Sequence, residues 1–322
     1  MIEIENLSKA FRVAKREKGP FSSLLRREIE VVHALNDVSF QVETGEIVGY
    51  IGPNGAGKST TIKIMSGILV PSSGRCEIMG LTPWKSRIEH VRNIGVVFGQ
   101  RTQLWWDVPV LDSFMLLKDI YKLSKVDFTR SFEHLVEVLD LAPLLQTPVR
   151  QLSLGQRMRC EIAAALIHEP KLLFLDEPTI GLDAVSKIEV RQTIKRINEE
   201  RGVTVILTTH DMNDIEALAQ RILLIGKGQK LYDGDLSALK SQYLTYKRVS
   251  VDYSGDGAEV WPEGTMLIRQ STERAELSVD LSRTSIPAVI QQLTNTLNIH
   301  DITAENQPIE EMIVSLYKEH AI

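Results

Sequence analysis

Between Met1 and about Lys240, short apolar runs rich in β-forming residues alternate with segments whose apolar residues recur every three or four positions. The runs EIVGYIG, NIGVVFG, KLLFLDE, VTVILTTH and RILLIGKG are too continuously apolar for a sheet with one wet face. They predict a mostly parallel sheet covered by helices on both sides, an α/β layout. From Thr102 to Ile167 the strand pattern lapses, and SFMLLKDIYKL and FEHLVEVLDLAPLL take helical spacing, which predicts a helical insertion over 102–167. After Gln242 the texture changes again. KRVSVDY, GTMLIRQST and RAELSVDL alternate like strands. SIPAVIQQLTNTL and PIEEMIVSLYKEH read as helices, the second opened by Pro308 and an acidic first turn. The expected division is a domain at 1–240 followed by a small α+β domain at 245–322. No repeat, low-complexity tract or sustained heptad pattern interrupts it.

Composition narrows the class. With 43% apolar and 25% charged residues in 322, the chain is an ordinary globular mixture. Its formal charge of -5 argues against a general nucleic-acid binder. Cys76 and Cys160 stand without metal-ligand spacing, and the start MIEIENLSKAF lacks the basic-then-apolar pattern of a signal peptide, so the chain reads as cytosolic. No apolar run approaches the roughly 20 residues needed to span a bilayer. A membrane role therefore requires another subunit.

Chemistry is densest at GPNGAGKST, Gly52, Pro53, Asn54, Gly55, Ala56, Gly57, Lys58, Ser59 and Thr60. The stretch fits Gly-x-x-x-x-Gly-Lys-Ser/Thr and lies between an apolar strand and a helical run, as a phosphate-binding loop requires. Gly52, Gly55 and Gly57 let the backbone curl until successive N–H groups face a polyphosphate at a helix N-terminus. Lys58 is expected to reach the outer phosphates, and Ser59 to be a magnesium ligand.

KLLFLDEPT ends an apolar strand in Asp176 and Glu177. Strand alternation is expected to send them to opposite faces, Asp176 toward magnesium and Glu177 toward a water placed for in-line attack. His210 closes VTVILTTH on the same expected edge and is a candidate sensor of the terminal phosphate. Gln100, after IGVVFG, is a candidate contact to magnesium or to the attacking water. The remaining histidines have no comparable argument and read as structural.

A second anion site lies in LSLGQRMRCEIAAALIHEP. Here a helix starting near Ser153 offers a hydroxyl, the small Gly155, Gln156 and free first-turn N–H groups. Since it sits at the end of the helical insertion, its simplest partner is the nucleotide on a second copy. That predicts a homodimer with two shared sites.

In this order, GPNGAGKST, Gln100, LSLGQ, LLFLDEPT, GLD and His210 resemble the ATP-binding-cassette transporter ATPases, and the stretches around Gln100 and Ser153 look most like exporters of the viologen and daunorubicin type. The resemblance covers Met1 to about Lys240. It implies a P-loop NTPase fold, ATP and Mg2+ as nucleotide and metal, and ATP hydrolysis coupled to separate membrane-spanning permease subunits. The location implied is the cytoplasmic face of a bacterial membrane, with no nucleic-acid partner. Residue by residue, it gives Phe11 the adenine-stacking role, Gln100 the Q-loop glutamine, Ser153 and Gly155 the signature motif, Asp183 the D-loop aspartate and His210 the switch histidine. Two departures stand out. Leu154 replaces the usual glycine between Ser153 and Gly155. RVAKREKGPFSSLLRREIE separates Phe11 from the next strand, and its Phe21, Leu24, Leu25 and Ile29 fall on one helical face, suited to lipid, to a permease or to the domain itself. Trp105 and Trp106 are candidates for the permease groove, one packing inward and the other free.

Two other readings use fewer of these features. A cassette serving translation or DNA repair is expected to carry tandem cassettes, an arm, zinc clusters or a basic surface. A small-molecule P-loop kinase leaves LSLGQ and His210 without a task.

Overall fold

The computed structural model describes residues 1–14, 29–99, 101–242, 246–255, 260–306 and 309–319, in two compact units, Met1–Gly234 and Asp235–Ile322. The first unit runs β1 (Ile2–Ala14), β2 (Ile29–Val42), β3 (Ile47–Ile51), α1 (Lys58–Met65), β4 (Ser73–Ile78), α2 (Arg87–Val91) and β5 (Ile94–Phe98). It continues through α3 (Val110–Tyr121), α4 (Lys125–Val138), α5 (Leu154–Leu166), β6 (Leu172–Asp176), α6 (Ala184–Arg201), β7 (Thr204–Thr208), α7 (Met212–Leu218), β8 (Arg221–Gly226) and β9 (Gln229–Asp235).

One six-stranded sheet has the order β5-β6-β7-β3-β8-β9, with β5, β6, β7, β3 and β8 parallel. Its central strands are short and buried on both faces, as in β6, where Leu172, Leu173, Phe174 and Leu175 have no exposed surface. That is the signature of a helix-covered parallel sheet. Register brings four strands to a common finish: Phe98 lies opposite Asp176, Asp176 opposite Thr208, and Tyr50 opposite Thr208.

A second sheet, order β2-β1-β4, is antiparallel and adds to the mostly parallel sheet that the apolar runs predict. Its apolar face, including Ile4, Leu7, Leu35 and Phe40, shares one core with Tyr50, Ile62 and Met65. The alternation that would betray it is broken, because register shifts separate Ile4 from Leu7 and Asn6 and Asp37 take positive φ. β1 runs on to Ala14 and β2 begins at Ile29, the two paired with each other. The ends of the 12–30 segment, Ile29 included, are therefore strand and not helix, while Phe21, Leu24 and Leu25 lie outside the described residues.

The helical insertion contains α3, α4 and α5, joined by 3-10 turns at Ala142–Leu144 and Val149–Gln151. The start of α5 packs on the start of α6. A β-carbon on Gly155 would stand 2.5 Å from Ser186 Oγ and 2.7 Å from its Cβ. At the far end of α5, His168 Nε2–H donates to the Ile94 carbonyl (2.9 Å) and its ring stacks on Tyr121, centroids 3.9 Å apart. His90, on α2, donates to the Met65 carbonyl at 2.7 Å. Both histidines are structural, and burial lowers both pKa values, His168 to about 4.

The second unit is α8 (Leu236–Gln242), β10 (Tyr246–Ser254), β11 (Thr265–Gln270), β12 (Arg274–Asp280), α9 (Ile286–Thr296), β13 (Asn298–Asn306) and α10 (Ile309–Glu319). Its antiparallel sheet has the order β11-β12-β10-β13. One face of the sheet, with Val249, Val251, Tyr253, Ala275, Leu277 and Val279, packs on Val289 and Leu293 of α9. β13 was not legible. A register shift opposite Asp252 and Tyr253 lets Ile299 and Ile302, three residues apart, both pack against the core, and a spacing of three reads as helix.

Two outcomes follow from this packing. Gly155→Ala is expected to cost about 1–3 kcal/mol by overpacking, and Ser186→Gly in the same chain to recover most of it. A Gly155→Ala protein as stable as the wild type in thermal unfolding would contradict the contact. For His168, the unfolded ring takes a proton below about 6.5 while the folded ring resists until about 4. Stability is therefore lost as pH falls through that window, by up to about 3 kcal/mol. His168→Gln should flatten this part of the pH dependence in denaturant titrations.

Candidate functional site

The phosphate-binding loop joins β3 to α1, and two of its glycines are required for different reasons. Gly57, the residue before α1, has φ 110, and a β-carbon there would stand 2.6 Å from the Ala34 carbonyl. Gly52 does not have positive φ; a β-carbon there would stand 2.5 Å from the Ile225 carbonyl. Curling thus explains Gly55 and Gly57, whereas Gly52 serves close approach to β8. The loop is anchored from behind, where Gly228 N–H donates to Ala56 O (3.0 Å) and Asn36 N–H to Gly228 O (2.8 Å). The N–H groups of the first turn of α1, from Lys58, Ser59 and Thr60, have no intrahelical acceptor and form the anion-facing end.

Lys58 is buried, and its ammonium donates to Gly52 O (2.6 Å) and Pro53 O (3.2 Å), two of its three donors. Burial lowers its pKa, and the carboxylates of Glu177 and Asp176 oppose that effect. Asp176 ends β6. Its Oδ1 accepts from the Thr208 hydroxyl (2.5 Å) and its Oδ2 from the Ser59 hydroxyl (3.5 Å). Two hard oxygens, from Ser59 and Asp176, side by side at the phosphate loop suit a magnesium ion that keeps waters and phosphate oxygens as its other ligands. Gln100, the other residue expected at the metal, lies outside the described residues.

Glu177 departs from the expected strand alternation. β6 ends at Asp176, and Glu177 takes φ 55, a left-handed conformation uncommon for a residue with a side chain. The turn is clamped on both sides. Glu177 N–H donates to Thr208 O (2.9 Å), and Gly99 lies so close that a β-carbon there would be 2.1 Å from the Glu177 carbonyl. The two acids are separated by this turn and not by the pleat. His210, just past β7, brings Nδ1 to 3.3 Å from Glu177 Oε1.

Beneath these groups lies a polar network that sequence reading missed. Asp214 has no exposed surface, yet it accepts from the hydroxyls of Thr179 and Thr209 and from Arg191 Nε. Asp211, which caps α7, is bonded by Lys187 at 2.5 Å. The network ties α6, α7 and the turn after Glu177 to the residue preceding His210. In the sequence Asp214 looks like a solvated acid in the first turn of a helix, and nothing local marks it as buried.

The second group is built from two helix starts. Ser153 and Gln156 form a reciprocal capping box: Ser153 Oγ accepts from Gln156 N–H (3.2 Å), and Gln156 Oε1 accepts from Ser153 N–H (3.0 Å). Gln156 therefore serves its own helix start. Asp183 caps α6 through Ser186 N–H (3.0 Å) and Oγ (2.8 Å), and these bonds hold its carboxyl below the ordinary range. Leu154 lies over Gly181, whose β-carbon would meet Leu154 Cδ2 at 3.3 Å. At least part of the bulk of Leu154 is thus taken up inside its own chain.

Phe11 pairs opposite Val32 on the β1–β2 ladder, is 37% exposed, and has Lys9 Nζ 5.2 Å from its ring centroid. Trp105 and Trp106 are 40% and 47% exposed, so the expectation that one of them packs inward fails; they sit in an irregular segment with no single inward face. Arg157 of α5 lies over Trp106 at 5.7 Å. Glu161, buried on the same helix, accepts from the Thr102 hydroxyl and from Gln103 N–H (3.1 Å). These contacts bind α5 to the segment that follows Gln100.

Comparison with known proteins agrees with this geometry. The family model described as ABC transporter matches residues 35–180. The ABC transporter ATP-binding protein NatA of Bacillus subtilis is 32% identical, over 70% of this chain and 89% of that protein. The Nod factor export ATP-binding protein I of Rhizobium leguminosarum bv. viciae is 33% identical, over 76% of each chain. The linearmycin resistance ATP-binding protein LnrL of Bacillus subtilis is 29% identical, over 97% of this chain and 94% of its own length. Among solved structures, a dimeric post-hydrolysis ATP-binding cassette bound to ADP and Pi is 27% identical with a TM-score of 0.60, covering 73% of this chain and 99% of that one. A phosphate loop backed by paired acids on this sheet, in a chain so close to these relatives, has one assignment: the protein is an ATP-binding protein of the ABC transporter family.

Proposed function

We propose that the chain is the ATP-hydrolysing motor of a bacterial export system. It works as a homodimer and drives separate membrane-spanning permease subunits from the cytoplasmic face of the membrane, without a nucleic-acid partner. The observation that carries the hydrolytic reading is the placement of Glu177. Its carboxylate is fixed by a clamped left-handed turn and stands 3.3 Å from His210, beside the phosphate loop and the pair Ser59 and Asp176.

In this reading the terminal phosphates lie against the first-turn N–H groups of α1, and Lys58 moves from its loop carbonyls to their charge. Ser59 and Asp176 would hold magnesium, with Gln100 the further ligand the sequence suggests, and the ion would supply charge neutralisation at the phosphates. Glu177 orients the attacking water and accepts its proton, while His210 fixes the carboxylate and contacts the terminal phosphate. Phe11, exposed on its strand, stacks on adenine.

The dimer follows from what this chain's second group lacks. Ser153 and Gly155 open a helix whose first-turn N–H groups suit an anion. The Ser153 hydroxyl bonds to Gln156 of its own helix start, and Gly155 packs closely on Ser186, so the nucleotide they complete belongs to a second copy, with Asp183 at the same seam. Export is supported by the relatives named for Nod factor export and linearmycin resistance. Among the described residues no helix is long and apolar enough to cross a membrane, and Trp105 and Trp106 are the exposed aromatics on which a permease segment docks.

Glu177→Gln should slow ATP hydrolysis by about 10²–10⁴-fold and, with Mg-ATP, should run as a stable dimer in light scattering. A monomer under those conditions, or unchanged hydrolysis in Ser153→Arg, would refute the shared site. Trp105→Ala with Trp106→Ala should retain ATP binding while losing co-purification of multi-spanning proteins from native membranes. Loss of ATP binding instead would assign the pair to folding.

A further inference from the structure

The end of the parallel sheet opposite the phosphate loop carries a cleft of about 970 Å³. Lys171 and Val203, which line it, immediately precede β6 and β7, so it opens at the amino ends of the strands whose carboxyl ends bear Asp176 and Thr208. A shallower groove of about 630 Å³ continues along α4 and shares Arg130 and His134 with it.

Its lining is amphipathic. Met79, Pro170 and Val203 give it an apolar wall, and Arg130, Lys171 and Arg201 face the single acid Glu169. Arg130 is already engaged, with Glu169 at 3.0 Å and Asp127 at 3.2 Å. Arg201 is not: it lines the cleft with no side-chain hydrogen bond or ion pair among the described residues, its Nη1 lying buried beneath the cleft surface. Burial lowers the pKa of this guanidinium despite the attraction of Glu169 and Glu200. A basic residue in the last turn of α6 suits the helix dipole, but the dipole supplies no hydrogen-bond acceptor to the guanidinium. An oxyanion with an apolar body satisfies both features of the cleft, its charge on the guanidinium and its body on the apolar wall.

We propose that this cleft is a binding site for a small organic anion, a carboxylate or phosphate ester with an apolar group, with Arg201 as its principal charge partner and Lys171 at the rim. The site is separate from the nucleotide site and stands or falls independently of the transport reading. It lies at one end of α6, whose 18 residues span about 27 Å and whose other end is capped by Asp183.

The test compares 4-(trifluoromethyl)benzoate with its neutral isostere 4-(trifluoromethyl)benzamide by fluorine NMR titration of the full chain, with saturating Mg-ADP occupying the phosphate loop. The wild type should bind the carboxylate at one site and the amide about tenfold more weakly, the scale of one charge-assisted hydrogen bond. Arg201→Met should abolish that preference. Lys171→Glu, a change at an exposed position, should weaken carboxylate binding at least about threefold, and it decides the matter if Arg201→Met fails to fold by thermal unfolding. Equal binding of amide and carboxylate to the wild type, or wild-type carboxylate affinity in both folded variants, would overturn the assignment.

Discussion

Everything at the candidate site depends on the register of the parallel strands. Because Phe98, Asp176, Thr208 and Tyr50 share one row across β5, β6, β7 and β3, the loops that leave those strands emerge together. The phosphate loop, the acidic turn and the histidine meet at one edge without long excursions, as ligand sites do at the carboxyl ends of such sheets. The buried faces enforce the register, since a slip of one residue in β6 would move Leu173 and Leu175 off their packing partners. Fully buried apolar strands and an exposed polar rim are thus two halves of one constraint.

Upon that row, two local devices aim the side chains. Glu177 is turned by a left-handed residue that Gly99 and the Thr208 carbonyl lock in place. The strain is tolerated because the neighbours leave the backbone no other path. His210 follows Thr209, whose hydroxyl is committed to buried Asp214. A buried carboxylate is costly unless paired, and Asp214 is met by two hydroxyls and a guanidinium, so the network is rigid. Rigidity at Thr179, Thr209 and Arg191 fixes the loops on either side of Glu177.

The helix α5 links this edge to the surface proposed for a permease. Its first residues form the proposed second anion group, its middle grips Thr102 and Gln103 through Glu161, and Arg157 covers Trp106. These contacts give α5 a continuous physical link to the exposed tryptophans.

The sequence by itself determined what depends on neighbours along the chain. Continuous apolar runs specify covered strands, Gly-x-x-x-x-Gly-Lys-Ser specifies the phosphate loop, and Ser153 followed three residues later by Gln156 marks a helix start. Each is a local energy preference, so each is legible in one dimension. Tertiary structure decided the rest. The pairing of β2, β1 and β4 in a separate antiparallel sheet was hidden because it joins distant segments, and β13 because a register shift breaks the period that reveals a strand. The left-handed turn at Glu177 is set by Gly99, which lies 78 positions earlier in the numbering but in contact in space. Asp214 and Glu161 read as surface acids until the fold buries them against hydroxyls and amides from other elements. Burial and close approach between distant segments are properties of the packed molecule, and no spacing rule along the chain encodes them.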